Sequence, residues 1–379
     1  MANHEIDDVG SSSATAVRAI KGSCMEQCIL TAPDGSKVLL RDPLADPDWD
    51  ARWSSSSGFT AFHGAAWCRV LQNTYHFSPL YLELKTAWGS KSLLPLMEAQ
   101  GWLRGRRAVS LPFTDSAPGI FTELEHEDLL LKAALELARH RRWRYVELRG
   151  GNLNGRFGGS SLDYQEHTLG LAKTADEMFA RFKPELRTAI RKAEKCGLQV
   201  EIGSGRRLLD EFLMLHQRTR RRQGIPMQPL RFFGQLQECI LDKDGGMVAI
   251  ARFEEKPIAG AVFLHTGEKS VFKYGASDST QLSSRPNNLV LWEALKWYIQ
   301  RGAKSISLGR SSISNLGLRR FKGSWGCAES TLGYFRINSE TRQLEHATDA
   351  SRAWATRLFR MMPRRVSVAV GNLIYRQMD

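Results

Sequence analysis

Lys322 stands between Phe321 and Trp325 in a glycine-punctuated stretch that follows a buried strand. A lysine desolvated in that setting can stabilise an oxyanion, and preorganised donors of this kind contribute a few kcal/mol each to such a step. The alternative is a solvated lysine beside Arg319 and Arg320. Arg310 ends the expected strand Ser305–Gly309. Strand ends in open α/β sheets border ligands, so Arg310 can pair with a phosphate or carboxylate, or else tie the following loop. Asp115 follows the short strand Ala108–Leu111 and can orient or deprotonate an incoming amine. A carboxylate there can equally close an Asx turn before Pro118 and Gly119. Arg285, Asn287 and Asn288 precede a helical pattern, where a helix N-terminus can hold a phosphate. Tyr274, on a strand, can line an acceptor cleft or sit in the core. The lone His63 and His265 are assigned to packing. No Gly-x-Ser-x-Gly elbow or other ordered nucleophile motif occurs. Chemistry among these residues would therefore need no covalent enzyme intermediate.

The elements that must position them repeat. Strands are expected at Gln27–Leu30 and Lys37–Arg41, and a loop over Asp42–Ser57. Then come a helix over Phe62–Tyr75, a hairpin of Leu80–Thr86 with Ser92–Glu98, a strand Ala108–Leu111, a helix His126–Arg141, and strands Tyr145–Arg149 and His167–Leu171. The second half follows the same order. A helix over Leu208–Arg221 is capped by Gly224. A hairpin of Met247–Phe253 with Ile258–His265 leads to strand Ser270–Ala276, helix Asn287–Arg301, and strands Ser305–Gly309 and Thr331–Ile337. A basic amphipathic helix, Pro184–Cys196, joins the halves. The expected fold is α/β (α+β): two tandem domains with mixed sheets over 24–175 and 176–345, a disordered tail over 1–23, and an amphipathic basic segment over 346–379.

Composition narrows the class without naming a partner. The chain has 379 residues, and 53 Lys+Arg against 40 Asp+Glu give a net charge of +13. That excess suits anionic partners. The arginines at 139, 141, 142 and 144 lack the aromatic interleaving of a nucleic-acid site, so no specific DNA binding is expected and RNA binding remains only a third class of function. No apolar run reaches a membrane-spanning length, and the N-terminus lacks the order of a signal peptide, so a cytoplasmic protein is expected. Trp354, Leu358 and Phe359 mix with Arg357 and Arg360, which reads either as a segment resting on the inner face of an anionic membrane or as a docked terminal helix. The six cysteines form no metal or disulfide pattern, so no metal site is expected.

The element order resembles the GNAT acetyltransferase fold, and three stretches resemble its FemAB-like branch, the peptidoglycan-bridge aminoacyltransferases and their exopolysaccharide-associated relatives. These are Ser110-Leu111-Pro112-Phe113-Thr114-Asp115, the helix Arg187–Lys195 with Gly197, and Leu308-Gly309-Arg310-Ser311 followed by Arg320-Phe321-Lys322-Gly323-Ser324-Trp325-Gly326. The resemblance runs from about Trp53 to Ile337, with Trp325 where the family commonly has phenylalanine. It implies an N-acyltransferase in which Lys322 and Asp115 are catalytic. Arg310, Ser311, Phe321, Tyr274 and Trp325 would bind substrate, and Arg285, Asn287 and Asn288 the donor. It implies no tightly bound cofactor, with acyl-CoA or aminoacyl-tRNA as co-substrate and an amine-bearing envelope or polysaccharide precursor as acceptor. The glycine-rich pyrophosphate loop of GNAT enzymes is missing before the Leu289–Ile299 helix, and no coiled-coil arm for tRNA is evident. A non-catalytic protein binding a nucleotide-sugar or a partner is the alternative.

Overall fold

A computed structural model describes residues 27–87, 89, 91–151, 153–346, 374, 375 and 377. The tails called at 1–23 and, for the most part, 346–379 lie outside these residues. The first half runs β1 (Gln27–Thr31), β2 (Lys37–Arg41), α1 (Trp49–Trp53), α2 (Ala65–Tyr75), β3 (Ser78–Pro79), β4 (Tyr81–Lys85), β5 (Lys91–Leu94), β6 (Met97–Gly101), β7 (Gly105–Val109), α3 (Leu124–Arg141), β8 (Tyr145–Arg149), α4 (Asn154–Phe157) and β9 (Leu162–Gly170). The second runs α5 (Ala175–Arg181), α6 (Pro184–Lys195), β10 (Gln199–Gly203), α7 (Arg206–Gln223), α8 (Leu230–Cys239), β11 (Gly246–Phe253), β12 (Lys256–Thr266), β13 (Lys269–Ser277), α9 (Pro286–Gln300), β14 (Ser305–Ser312), α10 (Leu316–Ser324) and β15 (Ala328–Asn338).

Each half contains one parallel strand pair joined by a helix, as parallel neighbours require: β7–α3–β8 and β13–α9–β14. An eleven-stranded sheet has the order β10-β11-β12-β13-β14-β9-β15-β8-β7-β6-β3, and a separate four-stranded sheet the order β1-β2-β4-β5. The large sheet is mixed, as expected. Its centre is an exchange that periodicity could not show: β9, from the first half, pairs with β14, and β15, from the second, inserts between β9 and β8.

Local chemistry explains where elements differ from expectation. Asp42–Ser57 contains a short helix, α1, because Trp49 and Trp53 are fully buried and one helical turn aims both inward. The Ser92–Glu98 strand is broken at Pro95: β5 closes the small sheet against β4, and β6 joins the large one between β3 and β7. Lys322 lies on a helix rather than a loop; the Asn315 side chain accepts the Leu318 N–H at 3.1 Å and caps α10 despite Gly317 and Gly323. The elements α5, α8 and β10 were not expected from the sequence, although α8 has a buried face at Phe232, Phe233 and Leu236.

Three cores hold the layers. One joins the halves through α1, α2, α7 and α8, with Trp67 edge-on to Phe232 at 5.9 Å. A second lies under α6 and α9, and a third between α3 and the small sheet. Among the described residues no helix is long and apolar enough to cross a membrane.

One buried ion cluster fastens β8 to β15. Glu147 accepts two bonds from Arg149 (3.1 and 3.0 Å) and two from Arg336 (3.1 and 2.5 Å). Burial opposes its charge, but the two guanidiniums outweigh that and hold its pKa down to about 2, against an ordinary 4.5. The folded state thus gains stability from Glu147 above pH ~4.5 and loses it as pH falls toward 2. Glu147→Gln should cost about 3–5 kcal/mol in urea unfolding at neutral pH, because it leaves two arginines buried without their carboxylate. The deficit should shrink below pH ~4.

Candidate functional site

The loop after β7 is built to present Asp115. Leu111 and Phe113 both have positive φ (50° and 61°), a conformation that non-glycine residues hold only when their surroundings impose it. The surroundings are β8 and β15. The Ser110 N–H donates to the Glu147 carbonyl at 2.8 Å, and the Ala117 N–H to the Arg149 carbonyl at 2.9 Å. Arg149 donates to the Thr114 carbonyl at 3.2 Å, and the Tyr334 hydroxyl to the Asp115 carbonyl at 2.6 Å. The Asp115 carboxylate does not close a turn on its own loop. It accepts the Arg310 N–H of β14 at 3.3 Å, with Arg310 Nε 3.7 Å away.

β14 meets it with a bulge. The register against β9 slips between Ser307 and Arg310, and Gly309 between them has φ +71°. A Cβ at Gly309 would fall 2.3 Å from Asp115 Oδ2, so only glycine admits the carboxylate. The bulge also turns two carbonyls toward α10: Lys322 Nζ donates to the carbonyls of Gly309 (2.9 Å) and Arg310 (2.8 Å). Lys322 is only 5% exposed, and burial pushes its ammonium down to about 8 although Asp115 opposes the shift. Arg310 lies over the rings of Tyr164 (3.9 Å) and Tyr334 (4.8 Å).

Two residues that sequence reasoning passed over complete the cluster. Lys273, on β13, stands over Phe62 and Trp67 at 5.0 and 5.3 Å and donates to the Phe113 carbonyl at 2.5 Å. Burial alone would raise the Asp115 pKa, but Lys273, Arg310 and Lys322 together lower it. Glu166, on β9, sits opposite Arg310 in the register; burial and then the Asp115 charge raise its pKa, against a hydrogen bond from Ser116. The signal for Lys273 was a charge inside the apolar and aromatic stretch Val271-Phe272-Lys273-Tyr274, whereas Glu166, among Asp163, Gln165 and His167, carried none.

The other expected residues are dispersed. Ser311 is buried, and its hydroxyl has no partner among the described residues. Phe321 is half-buried on the second core, and Trp325 is fully buried there, edge-on to Phe182 at 5.2 Å. Tyr274 is buried in the first core and donates to Gln228 at 2.5 Å. Arg285 is exposed at the N-cap of α9, and Asn287 donates to Ser277 at 3.3 Å. β13 and β14 pair only from Lys269↔Ser305 to Val271↔Ser307, so the α9 start and the Lys322 cluster both lie beyond the point where these strands part. The phosphate cradle at α9 is thin. Pro286 has no N–H, and those of Asn288 and Leu289 return to the Arg285 carbonyl at 3.1 and 3.4 Å. The Asn287 N–H and the Arg285 side chain remain as donors, which does not amount to a pyrophosphate loop.

Residues 180–323, which hold the parted strand pair, the start of α9 and the buried lysine, match the family model of the acetyltransferase (GNAT) domain. This segment is a GNAT domain. It contains Tyr274, Arg285, Asn287, Asn288, Arg310, Ser311, Phe321 and Lys322, while Asp115 comes from outside it. No curated protein matches the chain. Among solved structures, the chain is similar to FemX at 15% identity and TM-score 0.62, covering 75% of this chain and 94% of that one. It is also similar to L-PGS from Bacillus licheniformis at 14% identity and TM-score 0.52, covering 84% and 98%. These likenesses are of fold, and they reach over both halves of the chain.

Gly309→Ala should lose about 1–2 kcal/mol from the left-handed backbone and also displace Asp115. Gly302 has the same kind of φ (+78°) with open space around it. Gly302→Ala should therefore match the stability loss in denaturant melts and keep acyl-transfer turnover, which Gly309→Ala loses.

Proposed function

We propose that this chain is an N-acyltransferase that forms an amide between an activated acyl or aminoacyl donor and an amino group, and that it serves cell-envelope or exopolysaccharide synthesis. The observation that carries the reading is Lys322: two of its three N–H bonds are spent on backbone carbonyls, which fixes the ammonium and leaves the third for a developing oxyanion. Asp115, kept ionised by three cations, receives the substrate ammonium. Glu166, with its raised pKa, takes a proton from it. Two carboxylates whose surroundings push their pKa values apart suit these two roles. The freed nitrogen attacks the acyl carbonyl, and the oxyanion forms against Lys322. Collapse expels the donor's leaving group, which takes up one of the two protons left on nitrogen so that the amide keeps the other, and Glu166 returns its proton to water.

The thin cradle at α9 weighs against a standard coenzyme A site, so aminoacyl-tRNA and acyl-CoA both stand as donors, with an amine-bearing envelope precursor as acceptor. We take the working units to be 24–175 and 176–345, in the cytoplasm or at the inner membrane face. The membrane contact read from 346–379 falls on residues largely outside those described. The competing reading, a non-catalytic nucleotide-sugar or partner-binding protein, predicts that Lys322 is dispensable.

Lys322→Ala should keep the fold and lower turnover by about 10²–10³-fold; unchanged turnover would remove the oxyanion role. In the wild type, kcat should rise from acid pH as Glu166 ionises and fall above about pH 8 as Lys322 loses its proton. Lys322→Arg should carry the alkaline fall upward, and Glu166→Gln should erase the acid limb. For the donor, calorimetric titration with acyl-CoA should show micromolar binding weakened by Arg285→Ala if coenzyme A is used. No binding points to charged tRNA.

A further inference from the structure

The β6–β7 hairpin closes at Gly101↔Gly105 through Trp102-Leu103-Arg104. At this turn Trp102 is 74% exposed and Leu103 61% exposed. Scattered surface hydrophobics are ordinary, but two adjacent large ones on a projecting turn need a partner to leave water. The turn is held in place from behind: Gly105 takes φ +69°, and the Leu103 N–H donates to the Gln377 side chain at 3.2 Å.

Arginines surround it. Arg104 and Arg106 lie on the hairpin, and Arg142 and Arg144 on the turn between α3 and β8. The Arg144 N–H donates to the Arg106 carbonyl at 2.8 Å, and Arg106 Nη1 to the Arg141 carbonyl at 3.2 Å, so the two turns form one surface. Arg139 has Glu136 and Arg141 has Glu98, each at 3.5 Å. Arg104, Arg106, Arg142 and Arg144 have no carboxylate partner among the described residues, and Arg106, Arg142 and Arg144 are exposed.

We propose that this hairpin tip docks the protein on an anionic bilayer surface, with Trp102 and Leu103 entering the headgroup boundary and the four arginines facing lipid phosphates. Tryptophan is the side chain most suited to that boundary, and each nearby arginine strengthens partitioning about fivefold. A single-stranded nucleic acid would instead need a groove with successive stacking rings, and a leucine on a convex tip offers neither. The Ser110–Asp115 loop lies at the other end of β7, about 17 Å along the strand, so docking leaves the lysine cluster uncovered. The proposal stands apart from the acyl-transfer reading, because its test needs no turnover.

The full chain should float with phosphatidylcholine vesicles that contain phosphatidylglycerol and not with phosphatidylcholine alone. Trp102→Ala with Leu103→Ala should weaken that partitioning at least tenfold, and Arg106→Glu with Arg142→Glu should abolish it, with thermal unfolding unchanged in both. Flotation that survives both pairs would place membrane contact elsewhere and overturn the proposal. So would absent flotation, or loss in the same variants of RNA binding or self-association instead.

Discussion

Neither half of this protein closes its sheet without the other. β9 leaves the first half to pair with β14, and β15 leaves the second to pair with β8 and β9. This exchange brings the Asp115 loop, which begins at the end of β7, against a bulge in β14. It also lets Tyr334 of β15 hold the Asp115 carbonyl while its ring supports Arg310. Fixed backbone dipoles and charges then meet in one place with few degrees of freedom left, which is what preorganised electrostatics requires.

The same exchange accounts for the balance of charge. Three cations gather about Asp115, and each has its own anchor: Lys273 on aromatic rings and the Phe113 carbonyl, Arg310 on two tyrosines, Lys322 on two carbonyls. Anchored this way, they act on the carboxylate without collapsing onto it. Glu166 is left as the carboxylate with the raised pKa, in contrast to Asp115. Behind the site, the Glu147 cluster ties β8 to β15 and passes that rigidity to Thr114 through Arg149.

The first core extends the coupling. Trp67 of α2 packs on Phe232 of α8, so helices from both halves share one apolar layer on the side where Lys273 lies over Phe62 and Trp67. The lysine cluster and the Trp102–Leu103 tip thus occupy opposite ends of β7 on a single framework, each with its own local chemistry.

Sequence by itself determined what depends on near neighbours. Stripes at helical spacing marked α2, α3, α6 and α7, alternation marked the β11–β12 hairpin, and Pro184 and Gly224 marked helix ends through backbone rules that act within one turn. Lys322, Arg310 and Asp115 were singled out because their stretches resemble a known family's motifs, while their meeting in one place, 195 residues apart for Asp115 and Arg310, was not legible there. The tertiary structure alone decided the strand order, since pairing between β9 and β14 joins segments more than a hundred residues apart and leaves no period to read. It decided that Tyr274 and Trp325 turn into cores, because burial depends on which face a neighbour covers. It also brought Lys273 and Glu166 to Asp115: a charge in a strand acquires its role from the groups placed opposite it, and those are known only once the sheet is assembled.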